Sequence, residues 1–310
     1  MLLRQLEYFV AVAREKHFAR AAETCYVSQP ALSSAIAKLE RELNVTLINR
    51  GRTFGGLTPE GERLVVWAKR ILAEHDAFKA EVAAVRSGIT GTLRLGSSPT
   101  ASTTVALPVA AFCAAHPLAK VRVSSRLPTG ELSRRLREFE LDAAIGHFAP
   151  EDGEGLEIVP LYEERYVLLV SGEQLTSEAH TMRWAEAAQL PLTLLTEDMS
   201  VRQVIDSAFA ESGVAVAPQV TTDSVASLYA HVGAGEWASV VPHTWLRAMP
   251  VTGGTRVVRL VDPEVRVQVS VAIPAANPGS PVARAFVEAV TGLALVRFFD
   301  QPLRGDENVA

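Results

Sequence analysis

The run Phe18-Ala-Arg-Ala-Ala-Glu-Thr-Cys-Tyr-Val-Ser-Gln-Pro-Ala-Leu-Ser-Ser-Ala-Ile-Ala-Lys-Leu-Glu-Arg-Glu-Leu43 decides how the chain is read. Phe18 to Thr24 reads as a short helix whose small residues Ala19, Ala21 and Ala22 let another helix approach closely. Tyr26-Val27 is a tight connection. Ser28 is a good N-cap, and Pro30 falls in the first turn, where its missing N–H costs nothing. A further helix then runs from Gln29 to about Leu43. Its apolar stripe is Leu32, Ile36, Leu39 and Leu43, and its other face carries Ser33, Ser34, Lys38 and Arg41. Two short helices joined by a tight turn, the second polar and partly basic, form a helix-turn-helix. The N-terminal residues of such a helix meet base edges in the major groove. Gln29 can pair bidentately with adenine, and serines can bond several bases. From this pattern alone, an ordinary three-helix bundle with a solvated polar face remains open.

Upstream, Leu2, Leu6, Phe9, Val10 and Ala13 recur at helical spacing and supply the helix that packs against this pair. Downstream, Val45 to Arg50 has strand character, Gly51 to Gly56 is a turn, and Leu57-Thr58 returns toward the helices. This reads as a β-hairpin wing. Arg50 and Arg52 on it can clamp backbone phosphates while the helix reads bases.

Six short stretches now stand in order: residues 4–13, Phe18 to Ala22, Val27 to Ser33, Leu39 to Leu43, Leu47 to Arg50, and Leu57-Thr-Pro-Glu-Gly61. Together they resemble the N-terminal domain of LysR-type transcriptional regulators. The resemblance implies a winged helix-turn-helix that binds promoter DNA as a dimer or tetramer. It implies a recognition helix beginning at Ser28-Gln29-Pro30, with Gln29, Pro30, Ser33 and Ser34 facing bases and Lys38, Arg50 and Arg52 on phosphates. Many relatives carry a longer side chain where Ser34 stands, so no operator sequence transfers. Cys25 stands where an aliphatic residue is usual, which suits a core position.

Thr58-Pro59-Glu60 starts the next helix with a hydroxyl cap, a proline and an acid. Nothing breaks it before Ser87-Gly88, and Gly61 is its weakest residue. Leu64, Ala68, Ile71, His75, Phe78, Val82 and Val85 form a heptad seam. An intersubunit coiled coil is the preferred reading, and the resemblance implies the same. A single helix packed on its own domain is the alternative. His75 is either a pH-sensitive element or a tolerated seam residue. A dimer presents two recognition helices about 34 Å apart, or a multiple of that.

Beyond the hinge Ser87-Gly-Ile-Thr-Gly91, strand-like and helix-like segments alternate. Strand-like are Thr92–Leu95, Val121–Ser125, Ala143–Gly146, Arg165–Ser171, Leu192–Leu195, Trp237–Val241, Val257–Val261 and Val265–Ile273. Helix-like are Ser102–Ala115, Glu131–Glu138, Ser200–Ser212, Ser224–Gly233 and Val282–Phe299. The alternation predicts α/β architecture with parallel sheets covered on both faces. The resemblance implies a two-lobed effector domain similar to periplasmic binding proteins. The expected organisation is 1–58 DNA-binding, 59–88 linker and dimerisation, 89–300 effector-binding, and 301–310 a frayed tail. Lobe one is expected at 91–161 and 268–300, lobe two at 162–267, with crossovers near Leu161-Tyr162 and Arg266–Ser270.

Ligands in such sheets sit at strand carboxyl ends, near helix N-termini. The hydroxyl-rich loop Gly96 to Thr104 offers Ser98, Thr100, Ala101, Ser102 and Thr103 for an anion; plain helix capping also explains it. Thr129, His147, Phe148, Met199, Ser200 and Trp237 are further cleft candidates. Against them stand capping for Thr129, a solvated loop for His147, and a core role for Trp237.

The composition fits this reading. With 310 residues and 48% hydrophobic, the chain has the length for two or three domains and is not mostly disordered. The longest apolar run, Val105 to Ala115, is cut by Pro108, so no membrane span is expected, and the N-terminus does not read as a signal peptide. A cytoplasmic protein is expected. Residues 1–58 hold eight Lys/Arg against five Glu, a net +3; residues 59–88 balance at five each; the rest carry 17 basic and 25 acidic residues, a net −8. A basic head on an acidic body suits a polyanion partner for the head alone. Cys25 and Cys113 make neither a disulfide framework nor a zinc cluster alone, and a redox pair between them would have to join different domains. No catalytic or metal-binding motif is legible, so neither enzyme activity nor a cofactor is expected. A solute-binding receptor shares the C-terminal fold but leaves residues 1–88 unexplained. The expected partners are promoter DNA, a small organic-anion effector, RNA polymerase and further copies of the chain.

Overall fold

The computed structural model describes residues 1–50, 54–125, 127–171, 174, 180–251 and 253–300; the side chains of Arg50 and Asp300 are outside the description. Three helices come first: α1 (Leu3–Glu15), α2 (Phe18–Thr24) and α3 (Gln29–Leu43). β1 (Ile48–Arg50) and β2 (Phe54–Leu57) pair antiparallel as a hairpin, with Ile48 opposite Leu57 and Arg50 opposite Phe54. Phe9, Val12, Leu32, Ile36, Leu39, Leu47 and Ile48 form one core beneath them. Gln5 is buried at its edge; its side-chain carbonyl accepts from the Leu2 N–H at 2.6 Å. Glu40 fixes the wing to α3, because one carboxylate oxygen accepts from the N–H groups of Leu47 (2.9 Å) and Ile48 (3.2 Å).

α4 (Pro59–Ser87) has 29 residues and so runs for about 43 Å. Thr58 caps it through the Gly61 N–H at 2.9 Å and donates to the Thr46 carbonyl at 2.6 Å. Gly61 is required by close approach. A Cβ there would stand 2.1 Å from the Leu47 carbonyl oxygen. After α4, Gly88 and Gly91 take φ of 81° and 94°, conformations glycine adopts freely.

Two lobes follow. Lobe one is built from β3 (Gly91–Ser97), α5 (Ala106–Ala115), β4 (Ala119–Ser124), α6 (Thr129–Arg137) and β5 (Ala143–Gly146). β6 (Leu156–Ser171) then crosses into lobe two, which holds β7 (Thr181–Arg183), α7 (Trp184–Ala187), β8 (Thr193–Leu195), α8 (Ser200–Glu211), β9 (Val220–Thr222), α9 (Val225–Gly233), β10 (Ser239–Pro242), α10 (Trp245–Ala248) and β11 (Thr255–Val261). β12 (Arg266–Pro274) returns to lobe one, where α11 (Pro281–Thr291) and α12 (Leu295–Asp300) close the fold. Each lobe has its own core, around Phe112 and Phe286 in one and around Trp184, Phe209 and Trp245 in the other.

The sheets are mixed rather than parallel. β3 pairs parallel with β4 and β5, and β8 with β9, as expected. But β12 is antiparallel to both β5 and β6, and β6 is antiparallel to β10 and β11. The two crossovers are therefore continuous strands. β6 pairs with β12 from Leu156 to Arg165 and with β10 and β11 from Tyr166 to Ser171. The expected helix Val282–Phe299 is two helices, interrupted at Gly292 to Ala294.

Candidate nucleic-acid interface and interlobe cleft

The face of α3 is open. Gln29, Pro30, Ser34 and Lys38 are exposed, and Ser33 is half-buried. The Leu32, Ile36 and Leu39 stripe is buried, so core packing fixes which face turns outward. Ser28 accepts from the Ala31 N–H at 3.4 Å, which makes it the cap of this helix as well as part of its exposed edge. Arg52 lies outside the described residues, as does the side chain of Arg50. The reading of the sequence missed Glu40, whose clamp on the wing joins groups seven and eight residues apart and leaves no local pattern.

The proposed seam of α4 divides into two parts. Ala68 is buried against the winged core, and Leu64 and Ile71 pack on the same cluster. Ala68 is thus corrected from an intersubunit contact to an internal one, because its own chain covers it. Phe78 (69% exposed), Val82 (47%) and Val85 (82%) remain open, with His75 half-buried between them and Ile71. Trp67, 59% exposed and stacked on Arg70, lies on the same side as Phe78 and Val85 and was missed because it stands one residue off the heptad.

Between the lobes a cavity of about 170 Å³ is lined by Pro99 and Ser102 from lobe one and by Met199, Asp223, Ser224 and Val225 from lobe two. Ser102 and Met199 were expected there; Asp223 to Val225 were not. Most of the hydroxyl loop is already satisfied. Ser98 and Thr100 are buried and bond each other at 2.9 Å, and Ser98 also accepts from the Ala101 N–H. Thr103 donates to the Thr100 carbonyl, and Thr104 bonds Tyr162 at 2.8 Å. Ser98, Thr100 and Ala101 are therefore corrected from ligand contacts to internal structure; nor do they cap the following helix, since α5 starts at Ala106 with Val105 before it and no side-chain cap. Thr129 opens α6 and Ser200 opens α8, both half-buried. Phe148, like Leu127 and Ile158, packs against a small lobe-one core that includes Leu132 and Leu136. Trp237 is corrected too. The Ala238 pairing with Pro191 and Thr193 sets it at the end of β8 remote from Met199, where it donates to Gln219 and packs on His231.

His147 is neither solvated nor free. It bonds the carboxylate of Glu164 at 3.1 Å, and Glu164 is fully buried on β6. The other carboxylate oxygen accepts from the Thr244 hydroxyl at 2.8 Å, so this group ties lobe one to lobe two. Burial, and then the Glu164 charge, push the phenols of Tyr162 and Tyr166 above their ordinary range. Trp245 adds a second tie by donating to the Thr100 carbonyl at 3.0 Å. A further cavity of about 200 Å³ on lobe two includes Arg259, Glu264 and Arg266, whose charges are mutually paired. Among the described residues no group of three or more His, Cys, Asp and Glu can hold a metal ion.

Comparison with known proteins follows this division. Residues 3–62 match the model of the bacterial regulatory helix-turn-helix protein, lysR family, and residues 86–294 match that of the LysR substrate binding domain. The chain belongs to the LysR family. Among its LysR-type relatives, a probable hydrogen peroxide-inducible genes activator of Streptomyces viridosporus is 32% identical over 264 residues, 84% of each chain. A full-length, cysteine-substituted OxyR from Pseudomonas aeruginosa superposes with a TM-score of 0.76 at 25% identity, covering 96% of this chain and all of that one. CbnR complexed with its target DNA gives 0.63 at 26% identity, covering 94% and 99%. The protein is a LysR-type transcriptional regulator, and its relatives are regulators, not enzymes. Among the described residues no helix is long and apolar enough to cross a membrane.

Proposed function

We propose that residues 1–58 read promoter DNA, 59–88 pair subunits, and 89–300 bind a small effector whose occupancy alters the lobe angle. The exposed polar face of α3 carries the DNA part. Gln29 reads a base bidentately, Ser33 and Ser34 bond neighbouring bases, and Lys38 meets phosphate. Dimers or tetramers form through the open stripe of Phe78, Val82 and Val85, with Trp67 extending it. The effector sits between Ser102 and Met199. We propose an organic anion, because no side chain caps the N-terminus of α8 and its N-cap residue, Met199, lines that cavity.

Several relatives are peroxide-inducible activators, and several solved OxyR structures carry a substituted cysteine. In this chain Cys25 is half-buried in the winged domain and Cys113 is exposed on α5. Neither lines the interlobe cavity. We therefore assign signalling to a bound ligand rather than to a thiol in the cleft. A ligand can move the lobes only by its differential affinity for their two arrangements. The moved lobes alter contact with RNA polymerase in the cytoplasm.

The test is a gel shift with DNA upstream of the chain's own gene, over a salt series, with Gln29→Ala beside wild type. The expected result is loss of the specific complex in the variant with salt-sensitive residual binding. Equal, sequence-independent binding by both proteins overturns the assignment of α3.

A further inference from the structure

The turn between α2 and α3 holds a side chain that the internal structure does not account for. Tyr26 has φ of 56°, a left-handed conformation that glycine or asparagine adopts at less cost. Its ring is 95% exposed, more than any other large apolar side chain among the described residues. The backbone there is fixed, because the Tyr26 N–H donates to Glu23 and the Val27 N–H to Ala22. An aromatic in this place gains no burial and costs backbone strain. Its position supplies the reason. Tyr26 stands two residues before Ser28, the cap of the helix whose first turn presents Gln29 and Pro30.

We infer that Tyr26 is a DNA-backbone contact whose phenol donates to a phosphate at the rim of the groove that α3 enters. This rests on the assignment of α3 to the major groove. A residue flanking the start of a reading helix faces the sugar-phosphate edge, where tyrosine hydroxyls are common donors. The contact adds affinity without sequence preference. The phenol is neutral, so the contact releases no counterion, and the salt slope is set by lysine and arginine alone.

The experiment uses the full chain and two duplexes, one from upstream of its own gene and one of scrambled sequence at low salt. Tyr26→Phe keeps the ring and removes only the hydroxyl. It is expected to bind both duplexes about fivefold more weakly with an unchanged salt slope. Tyr26→Asn suits the left-handed backbone better, so its Tm is expected to stay level or rise while both affinities fall. Wild-type affinity in Tyr26→Phe and Tyr26→Asn overturns the inference. So does a loss confined to the specific duplex, which would make Tyr26 a base reader. Gln29→Ala separates the underlying reading. If it leaves the preference for the specific duplex intact, α3 is not the reading helix and the failure lies there.

Discussion

The two attachments of α4 differ in kind. Toward the winged domain it is welded. Ala68 is buried, Gly61 lies against the Leu47 backbone, and Thr58 bonds both ends of the junction. Toward lobe one it is tethered by charge. Lys69 reaches Glu138 at 2.5 Å and Glu140 at 2.8 Å, and Arg284 on α11 reaches Glu81 at 2.9 Å. Close packing tolerates almost no displacement, whereas partly exposed ion pairs are weak and exchangeable. The junction with the winged domain is therefore the stiffer of the two, and the ion-paired junction with lobe one is the one expected to yield first.

Four substitutions put these packing and charge arguments to measurement. The largest effect is expected from Gly61→Ala, because no flexible side chain can yield to its Cβ and the Leu47 backbone must move. A loss of about 3 kcal/mol is expected, with DNA retention lost as well, read by thermal melting and gel shift. Glu40→Ala strips two N–H groups of the wing of their acceptor and should cost about 2 kcal/mol, measured by urea unfolding. Lys69→Met cuts only the tether. Its cost should stay under about 1 kcal/mol and shrink further in high salt; a salt-independent loss of several kcal/mol would mean that this end is welded too. The smallest effect concerns Glu131 on α6. Hydrogen bonds from Arg134 and Arg135 hold its carboxyl down at about 2. The stability this confers is complete above pH 4.5 and drains away as pH falls toward 2, and Glu131→Gln should flatten that part of the acid unfolding curve.

The winged domain was legible because its signals are local. A cap, a proline in the first turn and a buried stripe all fall within α3. The effector lobes were legible in alternation but not in direction, since strand polarity is set by partners far along the chain. β6 was read only from Arg165 onward, because Pro160, Glu163 and Glu164 interrupt the apolar run where the strand passes between lobes. The seam of α4 showed its period but not its owner, and Leu64, Ala68 and Ile71 turned inward to α4's own chain. The hydroxyl loop misled for a related reason. Sequence counts donors and acceptors, whereas Ser98 and Thr100 had already found each other. The far wall of the cavity escaped notice because it follows β9, a strand of three residues.

β6 and β12 make lobe two a module. Lobe two enters the chain at Arg165 and leaves it at Arg266, and these residues face each other across one antiparallel ladder. Topologically the whole of lobe two is a loop on a hairpin. A two-residue turn joining Arg165 to Arg266 would close lobe one without disturbing the register of the remaining rungs. The cavity wall that carries Met199 and Asp223 is thus an insert with adjoining ends, held to the scaffold beyond those ends by the Thr244–Glu164 and Trp245–Thr100 bonds that any replacement would have to supply.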